Sequence, residues 1–328
     1  MKEEFRIIIE HLESLNRNST EGYLVENIPF FDNHKIGLSN DGNPIFFIKF
    51  HNSDLISQID YNLELISIRF NCNCNLKQED DFEYKDTFTI IQLNSENEII
   101  VDYFSNIILL VIARIGNYPS LNTFKKELNL LIELFGKLNS PSTKAIQGLW
   151  GELFVIEQST DPIYLIKSWH VNTTDTFDFN DGIDKLEVKS TINSKREHII
   201  SNAQLFPSSN SILIICSILL LESGQGTTIF DLIDKIVARL NNDLESINKL
   251  HKVVFSTLGN DIEKSAELCF DYNYAKDNIL YFDHHVIPKI YPQYVPTEIS
   301  DIKYKCNFSN LTVINQNLFT SGLLNSLL

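Results

Sequence analysis

Residues 211–221 read Ser-Ile-Leu-Ile-Ile-Cys-Ser-Ile-Leu-Leu-Leu, the most apolar run of the chain. It is about half the ~20 residues a membrane-spanning helix needs, so no membrane span is expected. It also lacks the alternation of a strand with one wet face. A run of this kind fits a strand covered on both sides, as in sheets with helices packed against them. Its surroundings agree. Short strands are expected before it at Phe177–Asn180, Lys185–Thr191 and His198–Ser201. Helical spacing follows at Ile229–Leu240 and Leu244–Val254, then further strands at Ile279–Ile287 and Ile299–Phe308. Upstream, Ser140-Pro141 supplies an N-cap and a first helical residue for a helix over Thr143–Gln158. That helix would bury Ile146, Leu149, Leu153 and Ile156. The expected class is α+β or α/β, a mixed sheet flanked by helices.

The N-terminal part has a different rhythm. Phe5, Ile8, Ile9, Leu12 and Leu15 lie at helical spacing. Strand signals follow at Pro44–Phe50, Leu63–Phe70 and Phe88–Leu93, and helical ones at Phe104–Ile115 and Phe124–Leu138. A chain of 328 residues suits about two domains or slightly more. The expected division is a β-rich N-terminal domain over 1–122, a core over 123–258, and a strand-containing extension over 259–328 packed on that core. No basic start followed by an apolar block opens the sequence, and the five cysteines are an odd, scattered set. Both features read as a cytoplasmic protein with reduced thiols.

The stretch with most chemical content is Phe177-Asp178-Phe179-Asn180-Asp181-Gly182-Ile183-Asp184-Lys185-Leu186-Glu187-Val188-Lys189. Asp-Gly between alternating runs signals a hairpin. With Asp181-Gly182 as the loop, Phe179 would pair with Asp184, Asp178 with Lys185 and Phe177 with Leu186. Phe177, Leu186 and Val188 would line an apolar face, and Asp178, Lys185, Glu187 and Lys189 a polar one. Carboxylates diagonal across a hairpin can share a hard divalent cation. A neighbouring ammonium could orient a water or offset charge on a phosphate. A third carboxylate, Glu152, lies in Gly148-Leu149-Trp150-Gly151-Glu152-Leu153, where two glycines in a helix call for close packing. Glu-x-Lys alone is unspecific: Glu83-Tyr84-Lys85 repeats it and Asp301-Ile302-Lys303 nearly does.

Taken in order, Gly-Leu-Trp-Gly-Glu-Leu (148–153), Trp169, Phe-Asp-Phe (177–179), Leu-Glu-Val-Lys-Ser-Thr (186–191) and Gln204-Leu205 resemble the PD-(D/E)XK nuclease superfamily. More narrowly they resemble a bacterial PD-(D/E)XK family of about this length, found in phage-defence and restriction neighbourhoods. The resemblance implies a restriction-endonuclease-like core and Mg²⁺-dependent phosphodiester hydrolysis, with Mn²⁺ substituting. It implies Asp178, Glu187 and Glu152 as metal ligands, Lys189 as the water-orienting or charge-stabilising lysine, and Gln204 as an auxiliary polar group. Phe177 stands where the motif's name has Pro, and eight residues separate Asp178 from Glu187.

Lys185, Lys195 and Arg196 form a small basic set for a DNA backbone. Asp283-His284-His285 looks like a metal cluster, but strand alternation would point the two imidazoles to opposite faces. Trp150 and Trp169 are expected in the core. No phosphate-cradling loop, dinucleotide fingerprint or Gly-x-Ser-x-Gly elbow is present. The expectation is a DNA-cleaving enzyme of restriction or anti-phage defence, acting with protein partners from a defence cassette or as a homodimer. Against it stand 43 acidic and 27 basic side chains, a net charge of −16, which weakens unaided attraction to nucleic acid. The alternative is a non-cleaving or partner-dependent subunit of a multi-protein complex.

Overall fold

The computed structural model describes residues 2–15, 22–39, 41–50, 60–62, 65–78, 83–95, 97–135, 143–171, 175–208, 211–258, 262–315, 319 and 322–327. The expected cap at Ser140-Pro141, the start of the strand at 63–70 and the end of the helix at 124–138 lie outside them. The chain forms two compact units, Met1–Leu138 and Asn139–Leu328. The division falls at 138/139 rather than at 122, and residues 259–328 stay within the second unit.

In the first unit, α1 (Lys2–Ser14) precedes β1 (Tyr23–Ile28), β2 (Phe31–Leu38), β3 (Pro44–Ile48), β4 (Tyr61–Asn62), β5 (Ile66–Lys77) and β6 (Glu83–Leu93). Two helices, α2 (Glu98–Ile115) and α3 (Leu121–Phe135), complete it. Among the described residues the strands form one sheet in the order β1-β2-β3-β6-β5-β4. Every residue of β3 is buried, as expected of Pro-Ile-Phe-Phe-Ile between two neighbours. Val25, Phe47, Cys74, Phe88 and Ile90 form a core on this sheet. The Asn97 side chain caps α2 by accepting from the Ile99 and Ile100 amides.

In the second unit, α4 (Thr143–Gln158) and α5 (Pro162–Ser168) lead into β7 (Phe179–Asn180), β8 (Asp184–Thr191) and β9 (Glu197–Ser201). After a 3₁₀ turn at Asn202–Leu205 come β10 (Ile212–Leu219), β11 (Glu222–Thr227), α6 (Ile229–Arg239), α7 (Leu244–Leu258), α8 (Ile262–Glu267) and α9 (Tyr272–Asp277). The chain ends with β12 (Ile279–Asp283), β13 (Lys303–Asn307) and α10 (Gly322–Asn325). The sheet order is β12-β10-β8-β7. It is mixed: β10 runs parallel to β8 and antiparallel to β12, and β7 is antiparallel to β8. The apolar run becomes β10, buried from Leu213 to Leu219. One sheet face packs Leu213, Ile215 and Phe282 against Ile200 of β9 and Cys306 of β13, and β9 pairs with β13 as a ribbon. α4 covers the other face. A Cβ on Gly151 would come within 3.3 Å of the Ser190 side chain and 3.5 Å of Val188, so this glycine allows close helix–sheet contact. Gly148 has nothing within 4 Å of such a Cβ; packing does not explain it.

The β7–β8 register differs from the expected one by two residues. Phe179 pairs with Leu186 and Asn180 with Lys185. The reason is local: the Asp181 carboxylate accepts from both the Ile183 and Asp184 amides, which widens the loop, with Gly182 at φ +99°. A shift of two preserves which side chains share a face, whereas a shift of one would invert them. Among the described residues, no helix is long and apolar enough to cross a membrane.

Candidate metal-dependent active site

Extending the observed register by one step sets Asp178 opposite Glu187. On the other side of this segment, Trp169 bridges to Phe179 in antiparallel fashion, and the His170 amide donates to the Asp178 carbonyl at 2.8 Å. His170, Asp178 and Glu187 therefore stand side by side on three neighbouring chain segments, and residues in such a row project together. β7 begins only at Phe179, and beyond it the Val188 amide turns to a side chain. That side chain is the Asp178 carboxylate, accepting at 2.6 Å.

Glu152 enters from α4. Its Oε2 accepts from the Trp169 indole at 2.7 Å and lies 3.0 Å from His170 Nε2. One ligand atom each from Glu152, His170 and Asp178 lies within 4.8 Å of the others. Glu187 is oriented differently. Its Oε1 accepts from Lys189 Nζ at 2.6 Å and from the Gln204 amide at 2.8 Å, and the same amide donates to the Thr176 carbonyl. Glu187 Oε2 is buried without a hydrogen-bond partner, an arrangement that costs free energy unless a cation or water compensates it.

The electrostatics follow from crowding. Burial, Glu187 and Glu152 push the Asp178 carboxyl well above its ordinary pKa, opposed by Lys189 and the Val188 amide. For Lys189, burial lowers the pKa, but Glu187, Asp178 and Glu152 outweigh it and the ammonium is held in its charged form. Three carboxylates around one ammonium leave an excess of negative charge that a divalent cation would neutralise.

The sequence-expected residues thus separate into groups. Asp178 and Glu152 converge with His170, which sequence reasoning missed, while Glu187 is held by Lys189 and Gln204 beside them. The basic set does not assemble as expected. Arg196 is buried, its guanidinium donating to the Ser217 carbonyl and hydroxyl and to the Asn278 carbonyl. Lys185 is buried too, donating to Ser211 Oγ and lying over the Phe177 ring. Neither is presented to a DNA backbone; of the three, only Lys195 is exposed. Both tryptophans are in the core. The expected separation of His284 and His285 also fails. β12 ends at Asp283, the histidines lie on a 3₁₀ turn, and both Nδ1 atoms approach Asp283 Oδ1, at 3.2 and 2.6 Å.

The model of the family described as "Putative PD-(D/E)XK family member, (DUF4420)" matches residues 12–309. The chain belongs to this family. No curated protein and no solved structure matches it. Membership agrees with the mixed α+β architecture and suggests a nuclease-like function. PD-(D/E)XK nucleases generally use divalent metals and act on DNA, and in this chain the carboxylate and imidazole atoms that gather come from Glu152 on α4 and from His170 and Asp178 in the segments before β8.

Proposed function

We propose that the chain is a Mg²⁺-dependent DNA endonuclease of a restriction or anti-phage defence system. The observation that carries this reading is the buried edge of β8, where Asp178, Glu187 and Lys189 share a face and Glu152 reaches them from α4. The donor set fits a divalent cation, and the unpartnered Glu187 Oε2 supports the fit. Glu152, Asp178 and Glu187 would hold the ion. Bound there, it supplies an acidified water and neutralises phosphoryl charge. The Lys189 ammonium, held by Glu187, donates toward the attacked phosphate or its attacking water. Gln204 fixes the Glu187 carboxylate between itself and Lys189. Mg²⁺ is the expected ion and Mn²⁺ a substitute.

The first unit would serve recognition or assembly. Five unpaired cysteines suit a reducing cytoplasm. A second reading is favoured by the charge of −16 and by the burial of Lys185 and Arg196: a subunit that reaches DNA only through protein partners or a second copy, or that no longer cuts. Plasmid cleavage in Mg²⁺ by the purified chain separates the two. Loss of cleavage in both Glu187→Ala and Lys189→Ala supports the enzyme; cleavage surviving in both variants overturns the assignment.

A further inference from the structure

The ligand set at the β8 edge contains a nitrogen. His170 directly follows Trp169, whose bridge to Phe179 fixes the segment. The bond from the His170 amide to the Asp178 carbonyl then sets its side chain beside that of Asp178. The imidazole is nearly enclosed, with 11% of its side chain exposed, and Nε2 lies 3.0 Å from Glu152 Oε2. That oxygen is already fixed by the Trp169 indole, itself buried. By contrast, Glu187 Oε1 is committed to Lys189 and Gln204. Among the described residues, the atoms here that come within 4.8 Å of one another are two carboxylate oxygens and one imidazole nitrogen.

We propose that His170 Nε2 is a direct ligand of the divalent cation, together with Glu152 and Asp178, and that this nitrogen lets the substitute ion Mn²⁺ bind more tightly than Mg²⁺. The inference rests on reading this cluster as a metal centre. Mg²⁺ demands a near-ideal octahedron of oxygens and surrenders its waters reluctantly. Mn²⁺ shares the oxygen donors that suit Mg²⁺, but as a transition ion, even the weakest of its series, it gains more from an imidazole nitrogen than Mg²⁺ does.

The test is pulsed EPR of Mn²⁺ bound to the full chain, with calorimetric titration of Mn²⁺ and Mg²⁺. Wild type should show ¹⁴N coupling to the bound Mn²⁺, and His170→Asn should lose it. The same substitution should weaken Mn²⁺ binding by about tenfold or more and Mg²⁺ binding distinctly less. His284→Asn/His285→Asn should keep the coupling, which removes the other histidine cluster as its source. A melting curve of ion-free His170→Asn establishes that the variant is folded. Bound Mn²⁺ without nitrogen coupling in wild type, coupling that persists in His170→Asn, or equal losses for both ions would overturn the proposal. Plasmid cleavage without nitrogen coupling would overturn it while leaving the nuclease reading intact. Coupling without cleavage of any DNA would do the reverse.

Discussion

The molecule carries Glu-x-Lys twice on strands of antiparallel pairs, and the two copies have different fates. Glu83-Tyr84-Lys85 opens β6. Glu83 and Lys85 are exposed, and Glu83 faces Lys77 at a loose 4.0 Å with 70% of its side chain in solvent. An ion pair of that kind contributes little. Glu187-Val188-Lys189 lies on β8 between two neighbouring strands, with the Glu187 side chain only 4% exposed and its ammonium partner at 2.6 Å. The three-residue pattern is common to both. What differs is the company: β8 has α4 on one face, a ribbon on the other and a segment carrying Asp178 at its edge. The same pair becomes a solvated surface feature in one place and part of a charged, desolvated cluster in the other.

Substitution at the two copies breaks or sharpens this contrast. The largest effect is on cleavage. Glu187→Ala or Lys189→Ala should reduce DNA cleavage on the order of 10²–10³-fold or more, whereas Glu83→Ala and Lys85→Ala should leave it within about twofold, read on plasmid DNA under identical Mg²⁺. Comparable losses at both copies would dissolve the distinction. Next is Gln204→Ala, which removes the amide that holds Glu187 Oε1. A loss of about 10–100-fold is expected, as for partners that orient a ligand, with Gln204→Glu no better because it replaces a donor with a like charge.

A smaller effect concerns stability without metal. The raised Asp178 carboxyl keeps its proton in the folded chain at pH values where the unfolded chain has lost it. The folded state then binds more protons, so stability falls as pH rises through the window between the ordinary carboxylate value and the raised one. Asp178→Asn, which can still accept from the Val188 amide, should therefore raise the neutral-pH melting temperature of the ion-free protein by a few degrees. The gain should vanish toward acid pH, where the carboxyl is protonated in both states; Glu83→Gln should show no such pH-dependent gain. The smallest effect separates the two glycines of α4. Gly148→Ala, with open space beside it, should stabilise by up to about 1 kcal/mol. Gly151→Ala should lose that gain against Ser190 and Val188, as chemical denaturation would show.

The core of the second unit was legible because its signals are local. The apolar run at 211–221 could be little else than an internal strand, and the period of 143–158 marked the helix that became α4. Asp178, Glu187 and Lys189 were legible as one face because alternation survives a register shift of two, whereas Glu152, on α4, was singled out by the glycines beside it and by the resemblance. The shift itself was hidden: it comes from one carboxylate, Asp181, bonding two amides in its own loop. His170 was hidden for another reason. It reaches the site through a pairing between residues 169–170 and 178–179, and no apolar alternation in the intervening chain announces it. Arg196 shows the opposite error, since a basic residue after a strand reads as surface. Its signal lay elsewhere, in Ser217 inside the apolar run, which receives Arg196 and also lies 2.7 Å from His198 Nε2. Burial of a charge is visible in sequence only when the partner that satisfies it is recognised.

The central claim is that the crowded carboxylates at the β8 edge form a metal centre and that the chain's other Glu-x-Lys, Glu83–Lys85, does not. Calorimetric titration of Mn²⁺ and Mg²⁺ into wild type, Asp178→Asn and Glu83→Gln tests it most directly. Saturable binding in wild type, lost in Asp178→Asn and unchanged in Glu83→Gln, is the predicted result. Wild-type binding that persists unaltered in Asp178→Asn, or no binding of either ion by the folded wild-type chain, would contradict it.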